Sequence, residues 1–196
     1  MIANREDRLA RLDESIRDGK VDPQAIQLLK LINGKTQYLT TSSCSGRIQL
    51  ITLQEVGGKK DSSVVAKWHS PPITEEFFSI LSGWKDNGTL YLMVQSPIFH
   101  VEAENIKSAV SLRNLAQASG FKYSTIRSLK LDRATSEPVK ITVEILSSEN
   151  LHTPLGTDGE IRAGRDYIEF VLLRAVHHFN RGSEKLVKLK KGLCHL

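Results

Sequence analysis

The sequence predicts an α+β fold in which a mixed or mainly antiparallel sheet is flanked by helices. Three observations favour this class. Apolar residues recur at helical spacing near both ends of the chain, whereas the middle alternates with a period of two. The predicted strands often follow one another directly, without an intervening helix. The chain also lacks the GxGxxG turn of a doubly wound nucleotide-binding fold, so we do not expect a Rossmann-type fold.

Two helices are predicted before the first strand. Asn4 is a candidate N-cap for the first, with Asp7 at the capping-box position, and Gly19 ends it. Asp22 followed by Pro23 is typical of an N-cap and a first helical residue, and predicts the start of the second. The apolar residues at helical spacing are Leu9, Leu12 and Ile16 in the first helix, and Ile26, Leu28, Leu29 and Ile32 in the second.

The remainder of the chain reads as strands interrupted by helices. Strands are predicted over residues 36–41, 47–53, 62–69, 88–95, 98–103, 122–131 and 139–146, and helices over 75–81, 104–119 and about 166–191. The glycine-rich stretch 56–62 predicts a flexible turn. Residues 147–164 are predicted as a long loop, a length that favours a functional or mobile segment.

Composition indicates an ordinary globular protein. The 196 residues are 40% hydrophobic and 25% charged, and no Pro/Gly-rich linker divides them, so we predict one domain over residues 1–196. Two cysteines, Cys44 and Cys194, do not make a disulfide framework, which favours the reducing cytoplasm. We expect neither a membrane span nor a signal peptide, because no apolar run approaches the ~20 residues of a membrane helix.

The charge balance favours an acidic partner. The formal net charge is +5 and the pI is near 9.2, and nucleic acid is the commonest partner of such proteins. The basic C-terminal tail, residues 181–196, carries five Lys or Arg against the single acid Glu184. Its cations either contact phosphates or complement the dipole at a solvated helix end.

One stretch, TTSSCSGRIQL at residues 40–50, concentrates small polar side chains. Hydroxyl groups compete with the backbone for hydrogen bonds, so such a run lies at a turn or lines a site. In a site, Ser42, Ser43 and Ser45 would donate to ligand oxygens, and Arg47 would pair with a carboxylate or phosphate. In the structural alternative, Arg47 begins an edge strand and the serines satisfy a tight turn.

This stretch, with its surroundings, resembles the wybutosine-synthesising protein 3 family. Further matches follow in the family's order and cover most of the chain from about residue 13 to 186. The matching positions are Gly19, Val21, Asp22, Ile32, Asn33, Thr40, Thr41, Ser42, Ser43, Cys44, Ser45, Gly46, Arg47, Ile48, Lys67, Trp68, Pro97, His100, Val101, Gly120, Phe121, Lys122, Ser124, Pro154 and Gly156. The chain departs from the family pattern at Thr125, where a glycine is expected, and in the last helix.

The resemblance implies an S-adenosyl-L-methionine-dependent tRNA methyltransferase. Its reaction would methylate N4 of the 7-(aminocarboxypropyl)-demethylwyosine base at position 37 of tRNA-Phe, with the anticodon arm as the bound partner. With the resemblance, we assign cofactor binding to Ser42, Ser43, Ser45, Gly46, Arg47 and Ser124. A non-catalytic RNA-binding module is the alternative function.

A base is needed to accept the proton that leaves the methylated nitrogen. His100 and His69 are the catalytic candidates because histidine titrates near neutrality, although a strand histidine is often only a hydrogen-bonding residue. Cys44 suggests a cysteine-dependent enzyme as a further alternative, which its spacing to Arg47 disfavours. We predict no metal site, since the adjacent His177 and His178 point to different helix faces.

Four aromatic residues are candidates for stacking on unpaired RNA bases. They are Trp68, Trp84, Phe99 and Tyr123, and core packing is the default role for each.

Overall fold

The computed structural model describes residues 2–54, 62–135 and 138–196. These residues group into two compact units. Unit 1 is formed by Met1–Ser45, Pro97–Ser148 and Ser183–Leu196 as far as they are described, and unit 2 by Gly46–Ser96 and Glu149–Gly182. The earlier prediction of one domain over 1–196 stays a prediction.

Each unit has its own antiparallel sheet. The strands are β1 (Tyr38–Cys44), β2 (Arg47–Leu53), β3 (Ser62–Trp68), β4 (Thr89–Gln95), β5 (Ile98–Ala103), β6 (Thr125–Leu131), β7 (Pro138–Leu146), β8 (Leu151–Thr157) and β9 (Glu160–Ile161). The unit 1 sheet has the order β1-β5-β7-β6, and the unit 2 sheet has the order β3-β2-β4-β8-β9. The α+β class with antiparallel strands is therefore confirmed.

Five helices accompany these strands in the described part of the chain. They are α1 (Arg5–Arg17), α2 (Pro23–Asn33), α3 (Thr74–Gly83), α4 (Ile106–Ala118) and α5 (Arg165–Leu193). None of the helices within the described residues is both long enough and apolar enough to cross a bilayer.

The unit 1 sheet buries one face and leaves polar groups on the other. On β5 and β7, alternate residues enter a core formed with α2, α4 and the last turns of α5. These residues are Phe99, Val101, Ala103, Ile141, Val143 and Ile145. The intervening positions on the same strands include His100, Glu102, Thr142 and Glu144. Because side chains alternate along a strand, these four share the opposite, polar face.

Unit 2 is built around a second apolar core. Its sheet contributes buried residues of β2 and β4, and α3 and the first part of α5 contribute the rest. The indole nitrogen of Trp84 donates to Thr52 Oγ1 at 2.9 Å, which satisfies the polar end of this buried ring.

Several local predictions need correction. Residues 147–164 are not a loop, because they contain β8 and β9; Pro154, which usually argues against a strand, pairs with Tyr91 where the register shifts. Asn4 occupies the N-cap position of α1 with φ 50 and makes no side-chain capping bond there. The carboxylate of Asp22 likewise caps no helix N–H and binds Ser45 instead. The predicted turn over 56–62 lies outside the described residues except for Ser62.

The basic segment 181–196 is mostly helical, as the helix predicted over about 166–191 implies. Residues 181–193 form the last turns of α5, and Leu186, Leu189 and Leu193 are buried in the unit 1 core. Lys185 also contacts unit 1, since its Nζ donates a hydrogen bond to Ser147 Oγ at 2.9 Å.

Candidate functional site

A row of polar residues crosses the unit 1 sheet on its polar face. Ser42 of β1 is opposite His100 of β5, His100 is opposite Glu144 of β7, and Glu144 is opposite Thr125 of β6. Cross-strand neighbours on one face lie close enough for direct side-chain contact. The row therefore brings a hydroxyl, an imidazole and a carboxylate into contact.

His100 is held at both of its ring nitrogens. Ser42 Oγ lies 2.6 Å from Nδ1, and Glu144 Oε1 lies 2.9 Å from Nε2. With the Glu144 carboxylate as the acceptor at Nε2, the ring carries its hydrogen there and the Ser42 hydroxyl donates to Nδ1; the neighbouring Arg127 guanidinium, which can only donate, then bonds to Glu144 and not to Nε2. We assign this tautomer on charge, because an anionic carboxylate favours an N–H that faces it. Nδ1 is then the nitrogen that can take up a proton.

Arg127 completes the cluster from β6. Its Nη1 contacts Glu144 Oε1 and lies 2.8 Å from His100 Nε2. The pairing of β6 with β7 shifts between Ile126 and Ser128, so Arg127 is the extra residue of a β-bulge. Bulges re-aim side chains and recur next to active sites. The bulge accounts for how a residue of the neighbouring strand reaches the row.

A second bulge adjusts the other end of the row. The pairing of β1 with β5 shifts between Thr40 and Ser42, which leaves Thr41 as the extra residue. Without this shift, the strict alternation along β1 would place Ser42 and Thr40 on the same face. The bulge instead places Ser42 opposite His100.

Glu144 is ionised in this environment. Burial raises the pKa of its carboxyl, but hydrogen bonds from His100 and Arg127 and their positive charges outweigh burial and hold the pKa below its ordinary value. The side chain is only 14% exposed, so water screens these contacts little. The cluster thus fixes a negative charge beside the imidazole.

A cleft of about 260 Å³ adjoins Ser42 within unit 1. The residues that line it are Arg8, Arg11, Leu12, Ser15, Leu29, Thr40, Thr41, Ser42 and Ser43. One of its two guanidinium groups is anchored, since Arg8 Nη1 lies 2.9 Å from Glu102 Oε2. Ser42 belongs to both the cleft and the row, so a molecule in the cleft lies next to the residue that contacts His100.

The remaining unit 1 candidates hold the backbone in place. Ser45 is 1% exposed, and both its N–H and its hydroxyl donate to Asp22 Oδ2, at 2.9 and 3.2 Å. Ser124 is also buried, and its hydroxyl accepts from the Leu146 N–H at 3.2 Å. Ser43 faces Phe99 across β1 and β5 and lines the cleft.

Three candidates belong to unit 2. Gly46 has φ 94, a backbone conformation that favours glycine, and it joins β1 to β2 with Ser45. Arg47 begins β2, and its Nε donates to Gln95 Oε1 at 2.5 Å. His69 follows the last residue of β3 and is partly buried. The predicted connection between two strands at this motif is present, but β1 and β2 belong to different sheets.

Glu144 and Arg127 were missed as site residues. Glu144 was inside the correctly predicted strand over 139–146, where it alternates with Val143 and Ile145. An acid on the polar side of such a strand was a usable signal once His100 was a candidate. Arg127 carried no signal, because a bulge cannot be recognised from this sequence.

Within residues 2–54, 62–135 and 138–196, no cluster of three or more His, Cys, Asp or Glu side chains is arranged to hold a metal ion. His177 and His178 contact each other edge to face, and His178 Nδ1 lies 3.0 Å from Glu149 Oε2. Among the described residues, Cys44 and Cys194 form no disulfide.

Comparison with known proteins places this chain in a family. The model of the family described as Methyltransferase TYW3 matches residues 3–195. The chain belongs to the TYW3 methyltransferase family.

Named relatives in this family match over nearly their whole length. A Thermococcus sibiricus protein named tRNA(Phe) 7-((3-amino-3-carboxypropyl)-4-demethylwyosine(37)-N(4))-methyltransferase is 38% identical over 188 residues, which are 96% of this chain and 91% of the relative. A Pyrococcus horikoshii protein with the same name, numbered 1, is 37% identical and covers 96% and 92%.

Two solved structures share the fold. The PH1069 protein from Pyrococcus horikoshii superimposes with a TM-score of 0.88 at 36% identity, covering 96% of this chain and 93% of that one. A hypothetical protein from Aeropyrum pernix superimposes with a TM-score of 0.70 at 28% identity, covering 88% and 96%. The predicted resemblance to this family is confirmed.

Proposed function

We propose that this protein transfers a methyl group from S-adenosyl-L-methionine to N4 of the 7-(3-amino-3-carboxypropyl)-4-demethylwyosine base at position 37 of tRNA(Phe), in the cytoplasm. The names of the relatives support this reaction and substrate. The observation that carries the proposal within this chain is the contact of Ser42, His100 and Glu144 beside a hydroxyl-rich cleft.

The cleft has the donor set that S-adenosyl-L-methionine requires. Arg11 is exposed at its edge and offers a guanidinium to the methionine carboxylate. The Ser43 hydroxyl can bind the ribose or the amino-acid end, and Leu12 offers apolar contact to the adenine ring. The hydroxyls of Thr40, Thr41 and Ser42 also line the cleft but bond to Asn33, the His100 carbonyl and His100 Nδ1. When bound, the cofactor supplies a methyl group on an electrophilic sulfonium.

His100 removes the proton that N4 must lose. Methyl transfer would form a carbon–nitrogen bond at N4 and break the carbon–sulfur bond of the cofactor, which would leave as the neutral thioether S-adenosylhomocysteine. The N4–H proton would pass to Nδ1 of His100, directly or through the Ser42 hydroxyl. The ring becomes an imidazolium, which the Glu144 carboxylate stabilises at 2.9 Å. Glu144 therefore acts as a positioning residue, and Arg127 keeps it charged and oriented.

Four further residues stay predicted to bind the cofactor: Ser45, Gly46, Arg47 and Ser124. His69 is the second candidate base. For Arg47, the proposal is an anchor for the anionic part of the cofactor or substrate. Arg47→Lys should lose most activity, because lysine cannot reproduce two parallel hydrogen bonds. Cys44→Ala should keep most activity, whereas a cysteine nucleophile would make it inactive.

The proposal is tested with precursor tRNA(Phe) that carries the demethylated base. Calorimetry measures S-adenosyl-L-methionine binding, and mass spectrometry of digested tRNA measures methylation at N4. The expected result is saturable cofactor binding and the gain of one methyl group. Protein that binds the tRNA with a steep salt dependence but neither binds the cofactor nor methylates the base would instead be an RNA-binding module.

A further inference from the structure

The edge strand of the unit 1 sheet presents an unusual amount of solvent-exposed side chain. Among the strands that the structure describes, β6 pairs only with β7, and every residue of β6 except Ile126 is exposed. Leu129 and Leu131 are each 46% exposed, and Val139 on the adjacent β7 is 54% exposed. This strand contributes little to the core, so its sequence is not explained by packing.

Cations follow this edge without carboxylate partners. Lys122 precedes β6, Lys130 lies within it, and Arg133 follows it, and none of the three forms an ion pair with a described residue. Asp132 is the acid beside them, and its Oδ1 accepts from the N–H groups of Ala134 and Thr135. The described part of the segment 122–135 therefore has an excess of positive charge.

Tyr123 adds an exposed aromatic ring at the start of the same edge. Of the four aromatic stacking candidates, Phe99 and Trp84 are buried and Trp68 is partly buried in the unit 2 core, whereas Tyr123 is 61% exposed. Its backbone is fixed, since its N–H donates to the Leu146 carbonyl at 3.1 Å. A fixed, exposed ring between cations is typical of a surface that stacks an unpaired base.

We propose that this RNA edge, defined as Lys122, Tyr123, Lys130 and Arg133, binds the anticodon arm of the tRNA. The proposal rests on the function proposed above and locates its substrate on the molecule. Arg127 connects the RNA edge with the polar row of Ser42, His100 and Glu144, because it lies on β6 and contacts Glu144. A base held at His100 would direct its flanking nucleotides along β6, where cations meet phosphates and Tyr123 stacks on a neighbouring base.

The test compares two pairs of alanine substitutions that remove the same charge. The test variant is Lys130→Ala with Arg133→Ala. The matched control is Lys30→Ala with Lys107→Ala, which removes two exposed lysines from α2 and α4, the helices on the buried face of the same sheet. Fluorescence anisotropy measures tRNA affinity from 50 to 300 mM salt, and thermal unfolding verifies that each variant is folded.

We expect the test variant to bind tRNA about tenfold more weakly, and the slope of log K against log salt to fall by about 1 to 2 in magnitude. The control should keep both the affinity and most of the slope. Tyr123→Ala should weaken binding about five- to tenfold, whereas Tyr123→Phe should bind like wild type, because the ring is retained. Cofactor affinity should not change in any of these variants.

Each other outcome overturns the assignment of the edge. If the test variant binds tRNA like the control while wild type methylates its substrate, the RNA edge is refuted and the proposed function stands. If wild type binds cofactor but not tRNA, both proposals fail. An exposed edge strand can also pair with a second copy of the chain. A dimer that the test variant dissociates without loss of tRNA affinity would assign the edge to self-association and refute RNA binding.

Discussion

Replacing Glu144 by glutamine tests whether its carboxylate stabilises the protonated form of His100, the proposed general base. The substitution keeps the size of the side chain and an oxygen that can accept from His100 Nε2, but removes the negative charge 2.9 Å from the ring. Under the proposed mechanism, the imidazolium that forms after proton transfer loses its main stabilising partner.

The size of the effect follows from the contact itself. A hydrogen bond to a charged group contributes about 1.5–3 kcal/mol and a neutral one about 0.5–1.5 kcal/mol. Because His100 and Glu144 are only 22% and 14% exposed, solvent screening reduces this difference little. A loss of about 1–1.5 kcal/mol corresponds to a five- to tenfold lower rate.

Single-turnover methylation as a function of pH provides the measurement. The rate constant should fall about five- to tenfold at each pH, because the imidazolium that forms loses its anionic partner. Cofactor affinity should remain unchanged, and Glu144→Asp should recover part of the rate. If the rate constants at every pH match those of wild type and only the melting temperature falls, Glu144 has a structural role and the reasoning is refuted.

Three further predictions concern stability. Asp22→Asn should lower the free energy of unfolding in urea by about 1–2 kcal/mol, because two hydrogen bonds from Ser45 lose their anionic acceptor, whereas the exposed Asp13→Asn should change it little. Gly156→Ala should cost about 1–3 kcal/mol, since the new Cβ would collide with the Glu160 carbonyl, whereas Gly83→Ala meets no atom within 4 Å and should be tolerated; thermal melts compare the pair. The lowered pKa of Glu144 means that its ionisation stabilises the fold above the ordinary carboxyl pKa of 4.5. The stability difference between wild type and Glu144→Gln should therefore shrink as pH falls below that value, and a pH-independent difference would contradict the ion-pair assignment.

Periodicity identified most elements because it reports local burial. The strand over 98–103 and the strand over 47–53 were predicted with the bounds that the structure has. In the first, Phe99, Val101 and Ala103 alternate with His100 and Glu102, and the second is rich in apolar and β-branched residues. β8 was missed because Pro154 cannot donate to a sheet and His152, Thr153 and Gly156 weaken the apolar pattern. Its partner β4 is distant in the chain, so only the fold reveals the pairing.

Strand partners were not available from the sequence. Only Ser45 and Gly46 separate β1 from β2, a spacing that resembles a hairpin, yet β1 pairs with β5 and β2 pairs with β3 and β4. The same long-range pairing assembles the site. His100 could be proposed by chemistry alone, but its contacts with Ser42 and Glu144 depend on β1, β5 and β7 being neighbours and on the bulge at Thr41.

The most direct test of the account is methyl transfer to demethylated tRNA(Phe) by His100→Gln, compared with His69→Gln at saturating cofactor and tRNA. The account predicts that His100→Gln loses at least about a hundredfold in single-turnover rate, in the range expected for loss of a general base, while still binding both ligands. His69→Gln should retain most of the rate. A His100→Gln protein that methylates N4 as fast as wild type would contradict the central claim that the row from Ser42 through His100 to Glu144 carries the chemistry.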